Sequence, residues 1–239
     1  MAKSLFTDAS YLPRGIFAFA VLAVIFGCLF HSHILIEIQA QAPLKVAPIN
    51  TLATEIPANA VSNVLVELAQ TVGEAPAAKR LIDYKLKTDP ASRPRYYAIV
   101  DFNQPSTSKR LYVFDTVAKK VESYYVAHGR GSEGSADDGI ADVFSNQNGS
   151  NSSSLGIYRT LDVYNGHHGR SLRLDGLEPT NSNALSRGVV MHTADYVSES
   201  FIRQTGRLGR SEGCFAVEKS VGNTLIDELK DGAYIIAAK

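Results

Sequence analysis

The sequence predicts a mainly β domain with a few peripheral helices, and three observations predict it. Seven segments after residue 95 are rich in β-branched and aromatic residues and are separated by clusters of Gly, Asn, Ser and Asp. Helical periodicity is confined to stretches before Arg93 and after Cys214. The 239 residues, 45% of them hydrophobic, suffice for one domain of about 145 residues with an N-terminal appendage.

The strand segments are YYAIVDF (96–102), RLYVFDT (110–116), KVESYYVAHG (120–129), GIYRTLDVY (156–164), SLRLDG (171–176), GVVMHT (188–193) and AYIIAA (233–238). A helix over about 220–229 is expected from Val221, Leu225, Ile226 and Leu229. The serine-rich run GSNSSS (149–154) by itself reads as a flexible loop.

Before this domain the chain falls into three parts. Residues 16–30 carry no charge and follow Lys3 and Arg14, the pattern of a signal peptide or an N-terminal membrane anchor within residues 1–42. A cleavage-like Ala40-Gln41-Ala42 triplet favours the first reading, and the Pro43 behind it favours the second. A lipoprotein box at Cys28 is a weaker third. Each of these puts the rest of the chain outside the cytoplasm, in the periplasm or cell envelope, with membrane contact through the N-terminal segment if it is not cut. Residues 43–60, with three prolines and no periodicity, read as a linker. Residues 61–93 read as a helical lead-in packed on the catalytic domain: Val61, Val64, Leu65, Leu68, Ala69 and Val72 follow helical spacing up to Gly73, and a second, short helix follows Pro76.

Composition narrows function. Lys+Arg and Asp+Glu are both 24, so the net charge is zero and nucleic acid is not an expected partner. Of two cysteines, Cys28 lies in the apolar leader, which leaves Cys214 as the lone thiol of an exported domain. It sits in the polar, glycine-bearing stretch GRLGRSEGCFAV, a setting for a nucleophile more than for core filling. A thiol of pKa near 8.5 needs a base or a positive charge beside it. His192 ends the apolar strand GVVMHT and is placed to project into a cleft. His167 and His168 read as structural histidines of the YNGHHGR loop, and His128, at another strand end, is intermediate. These histidines and Asp137, Asp138 and Asp142 follow no zinc-site spacing, so neither a catalytic metal nor another cofactor is expected. Arg203, Arg207 and Arg210 stand at i, i+4 and i+7 before the nucleophile. They read either as a solvated face or, for Arg210 and Arg207, as a cationic rim for anionic ligands.

His192 followed by Ser211-Glu212-Gly213-Cys214 resembles the active-site signature of the YkuD-type L,D-transpeptidases, a histidine, a variable gap and then [ST]-x-G-C. RLYVFD, VAHGRGS, FSN, SSSLGIY, GRSLRLDGLE, RGVVMH, DYVS and GRSEGC, in colinear order over about residues 94–238, resemble the narrower murein L,D-transpeptidase catalytic domain branch. Most YkuD-type enzymes carry histidine where Glu212 stands, although the narrow branch lacks it as well. Thr193 and Phe215 replace that branch's usual glycine and proline, and Phe215 is expected to narrow the cleft.

The resemblance implies a YkuD-like β-sandwich catalytic domain whose two sheets present His192 and Cys214 across a covered groove. It implies that peptidoglycan stem peptides are the partners, with Cys214 as nucleophile and His192 as base. Gly213 and Cys214 would supply oxyanion N–H groups, Ser211 would belong to the same turn, and the Thr193 carbonyl or the Asp195 carboxylate would orient the histidine. Arg210, Arg207, Tyr196 and His128 would contact substrate. Transpeptidation, trimming of the stem by an L,D-carboxypeptidase, and wall binding without catalysis are the functions this leaves open.

Overall fold

A computed structural model describes residues 58–239. The leader and nearly all of the linker lie outside the described residues. Among the described residues no helix is long and apolar enough to cross a membrane.

Nine strands form one hydrogen-bonded sheet in the order β3-β2-β1-β9-β5-β6-β7-β8-β4. They are β1 (Tyr96–Asp101), β2 (Leu111–Asp115), β3 (Lys120–Tyr124), β4 (Val126–Ala127), β5 (Gly156–Gly166), β6 (Gly169–Gly176), β7 (Val190–Thr193), β8 (Phe215–Val217) and β9 (Tyr234–Ala238). The segment 120–129 reads in the sequence as one strand, but it breaks at Tyr125. Its halves, β3 and β4, are the two end strands of the sheet. One residue therefore joins the two edges, and the sheet curls into a nearly closed barrel. The layers facing each other across the core are parts of this single sheet.

Among the described residues four helices accompany it: α1 (Ala58–Thr71), α2 (Ala75–Thr88), α3 (Glu199–Thr205) and α4 (Lys219–Leu229). Gly73, at φ +84°, supplies the left-handed turn between α1 and α2. The second helix is 14 residues long, longer than Ala77, Ala78, Leu81 and Ile82 alone suggest.

Alternation along β1 and β9 divides the buried side chains between two cores. Ala98, Val100, Ile235 and Ala237 point into the barrel. There they meet Leu172, Leu174, Met191, Phe215 and Val217, together with Leu225, Ile226 and Leu229 of α4. Tyr97, Ile99, Tyr234 and Ile236 point outward, where Val61, Leu65, Ala69, Ala78, Leu81 and Ile82 of α1 and α2 cover them. Both faces of β1 are thus buried, which is why YYAIV is apolar without interruption. Covering an aliphatic side chain such as Leu65 or Leu81 stabilises the fold by about 1.5–3 kcal/mol.

Candidate active site

His192 and Cys214 come from neighbouring strands, not from opposed sheets. Strands β7 and β8 run parallel with His192 opposite Ala216, and Cys214 immediately precedes β8. Both side chains line one cleft of about 510 Å³, together with Tyr164, His168, Arg187, Tyr196, Arg210, Ser211 and Glu212. The strand alternation turns Phe215 the other way. It lies in the barrel core, edge-on to Tyr158 and stacked near Phe102, so it does not narrow the cleft.

The His192 ring is almost wholly buried, and its Nδ1 lies 3.0 Å from the Thr193 carbonyl. A carbonyl only accepts, so Nδ1 carries the proton and Nε2 of the neutral ring holds a lone pair. Burial lowers the His192 pKa, the Thr193 contact opposes that shift, and the neighbouring His168 adds to it. The imidazole is therefore the free base near neutral pH. The Asp195 carboxylate, the alternative orienting group, is exposed and paired with Lys219 Nζ at 2.5 Å. Thr193 is itself held from behind by α4. A Cβ added to Gly222 would lie 2.0 Å from Thr193 Cγ2, so the helix approaches β7 this closely only because Gly222 has no side chain.

The Cys214 thiol sits 3.6 Å from the Gly188 carbonyl. Burial pushes its pKa up, a backbone contact at Val190 and the Arg187 guanidinium pull it down, and Glu212 adds to the rise. The resting site thus pairs a neutral thiol with a neutral imidazole.

The turn that carries the thiol is built from short-range bonds. Ser211 Oγ donates to the Cys214 carbonyl at 2.7 Å and accepts the Gly213 N–H at 3.1 Å. This corrects the expectation that Gly213 offers its N–H to an oxyanion, because Ser211 already occupies it. Gly213 adopts φ +112°, and a Cβ there would lie 2.7 Å from the Ser152 carbonyl. Below the turn, Ser152, Ser153 and Ser154 are buried. Ser153 accepts the Gly129 N–H, and Arg187 donates to the carbonyls of Ser145 and Ser152 at 2.8 and 2.5 Å. The second half of the run 149–154, flexible by composition, is here a packed floor clamped by a cation.

Several expected substrate contacts take other places. His128 is buried between Arg110, 2.8 Å from its Nδ1, and Glu133, 2.7 Å from its Nε2, and does not line the cleft. Desolvation and Arg110 push its pKa down to about 4, with Glu133 opposing. Arg207 bonds to Asp137 at 2.8 Å and stays off the cleft. Arg210 does line the cleft, although its Nη1 also reaches Asp137 at 2.6 Å. The arginine series is not one helical face, since α3 ends at Thr205 and Gly206 turns left-handed at φ +81°. Tyr196 lines the cleft and is backed by Gly209, whose N–H bonds to its carbonyl at 2.9 Å. Burial and the charges of Cys214 and Glu212 push the Tyr196 phenol up to about 12.

The sequence does not mark several cleft residues, among them Tyr164, Arg187 and His168. Arg187 bears no signal beyond its place in RGVVMH. The YNGHHGR loop reads as structural, yet the His168 ring stacks on that of His192 with centroids 4.2 Å apart and planes 19° apart. Among the described residues no three His, Cys, Asp or Glu side chains converge as metal ligands.

The family model described as L,D-transpeptidase catalytic domain matches residues 69–237. The chain belongs to that family of catalytic domains. It is similar to an L,D-transpeptidase from Mycobacterium smegmatis at 12% identity and a TM-score of 0.37, covering 61% of this chain and 59% of that one. An L,D-transpeptidase from Stackebrandtia nassauensis is similar at 15% identity and a TM-score of 0.37, covering 73% and 76%. A Mycobacterium tuberculosis L,D-transpeptidase matches at 14% identity and a TM-score of 0.35, covering 61% and 58%. The chain spans about three fifths of the length of the two mycobacterial structures. No curated protein sequence matches it significantly.

Proposed function

We propose that this protein is a peptidoglycan L,D-transpeptidase with Cys214 as nucleophile and His192 as general base. The observation that carries the reading is the neutral His192 ring, fixed by the Thr193 carbonyl in the same cleft as the Cys214 thiol. Membership in the catalytic family gives the reaction class.

In the first half-reaction the Cys214 proton passes to His192 Nε2 while Sγ bonds to the carbonyl carbon that links the third residue of a stem tetrapeptide to its terminal D-alanine. The Cys214 N–H is the oxyanion donor the turn leaves for this role, because Ser211 occupies that of Gly213; such a donor contributes roughly 3 kcal/mol. Collapse breaks the C–N bond, and His192 returns its proton to the departing D-alanine amine. In the second half-reaction an acceptor amine gives a proton to His192 and attacks the thioester carbonyl. The thiolate leaves and regains that proton. Arg210 and Tyr196, at the cleft wall, face the carboxylates and amides of the stem. Residues 16–30 support export, with the domain secreted or held at the cell envelope by its N-terminal segment.

The test is incubation of the protein with disaccharide tetrapeptide, followed by mass spectrometry. Dimers linked through third residues are expected, together with a thioester adduct that Cys214→Ala abolishes. Loss of D-alanine without dimers would reassign the chain to stem trimming. No turnover and no adduct would end both enzymatic readings.

A further inference from the structure

The β5–β6 hairpin ends in a two-residue turn, His167-His168, between Gly166 and Gly169, with Gly169 at φ +75°. A register shift between Thr160 and Val163 re-aims the ribbon, and Arg173 braces it by lying over the Tyr164 ring at 4.0 Å. Strand β6 also pairs with β7, placing Ser171 opposite His192. The hairpin tip is thereby registered to the strand that carries the base. His168, itself exposed, spreads its ring over a His192 ring that is 2% exposed.

We infer that His168 is a positioning residue for His192: its ring covers the imidazole face and fixes the ring plane. The inference rests on the reading of His192 as the base. A neutral His168 permits the imidazolium that forms when His192 takes a proton from Cys214, because an aromatic face tolerates a cation. A protonated His168 opposes it, since two positive charges would then lie in stacked rings.

Titratable and charged groups surround the stacked pair. From the hairpin come Tyr164, which lines the same cleft, His167, edge-on to His168 at 5.2 Å, and Arg170, which is bonded to Asp227 of α4. From β7 and the segments on either side of it come the Thr193 carbonyl, Arg187 and Tyr196. The nucleophile turn brings Cys214, Glu212 and Arg210. The direction of the His192 shift agrees, with His168 among its causes. Flatness and charge are separable, because phenylalanine keeps the first and lacks the second.

The experiment is carried out on the full-length protein with selectively labelled histidine. The His192 titration is followed by NMR, and the pH profile of Cys214 alkylation by iodoacetamide is measured beside it. Neither readout requires the natural substrate. In His168→Ala the alkylation rate at neutral pH is expected to fall about tenfold, with His192 titrating at higher pH once its face meets water and the repelling charge is gone. His168→Phe is expected to restore most of that rate while the His192 midpoint stays raised. A profile and a His192 midpoint unmoved in both variants would overturn the inference. So would a His168→Phe protein as slow as His168→Ala. If alkylation and titration respond as expected but stem dimers never form, the pairing of the two histidines stands and the transpeptidase reading falls.

Discussion

The outer face of β1 and β9 and the cleft end of β7 and β8 are stabilised by different physics. Under α1 and α2 the contacts are aliphatic and aromatic, non-directional, and spread over Val61, Leu65, Leu81, Ile82, Ile99 and Ile236. At the cleft they are directional: a serine hydroxyl bridging its own turn, a guanidinium clamped on carbonyls, a ring nitrogen on a carbonyl. The first kind of region loses stability in proportion to the volume removed. The second loses geometry, and with it chemistry, from changes that remove little surface at all. The helical face and the cleft thus draw on different kinds of contact, although the barrel core itself reaches the cleft through Met191 and Phe215.

The sharpest way to test this contrast is Gly213→Ala. One methyl group, forced into positive φ and toward the Ser152 carbonyl, is expected to lower kcat/KM at least a hundredfold. The backbone strain should cost only about 1–3 kcal/mol of stability in urea unfolding. Leu81→Ala should do the reverse. It is expected to cost about 2–5 kcal/mol in the same assay. The remaining folded protein should retain kcat/KM within about twofold. A large loss of kcat/KM in that variant would break the contrast, since it would show that the helical face reaches the cleft.

Arg187→Met keeps the volume and removes the clamp and the charge. Alkylation of Cys214 at neutral pH is expected to slow several-fold, and proteolysis within 149–154 to speed up, with the unfolding midpoint nearly unmoved. The smallest effect concerns pH. His128 is neutral when folded down to about pH 4, whereas the unfolded chain takes up that proton near 6.5. Between those values the unfolded state binds more protons, so stability falls as pH falls through that window. His128→Gln, able to accept from Arg110 and donate to Glu133, is expected to flatten that slope in urea titrations between pH 4 and 7. An unchanged slope would assign the acid sensitivity elsewhere.

Much of this was legible in the sequence because it is local. Alternation and β-branching mark β1, β2, β5, β6, β7 and β9, and the His192 and Ser211–Cys214 motif marks the two groups that share the cleft. What escaped is non-local or short. Strand β8 is three residues long and hidden behind the cysteine, so no alternation could reveal it. The break at Tyr125 leaves no turn signal, because no Gly, Pro, Asn or Asp interrupts KVESYYVA (120–127). The His168 stack joins residues 24 positions apart through the register of a hairpin, and the Arg187 clamp reaches 35 residues back to Ser152. The serine run misleads because hydroxyls that solvate a loop in water serve equally well as internal bonding groups once a cation organises their carbonyls.

The position of β9 carries a consequence for how the molecule comes into being. Strand β9, Tyr234–Ala238, is inserted between β1 and β5, pairing Tyr97 with Tyr234 across 137 residues. A nascent chain lacking it holds two half-sheets with bare edges and no barrel to close. Contacts of such sequence separation make assembly slow and late. The barrel can thus close only when this five-residue strand docks between β1 and β5, a timing set by topology.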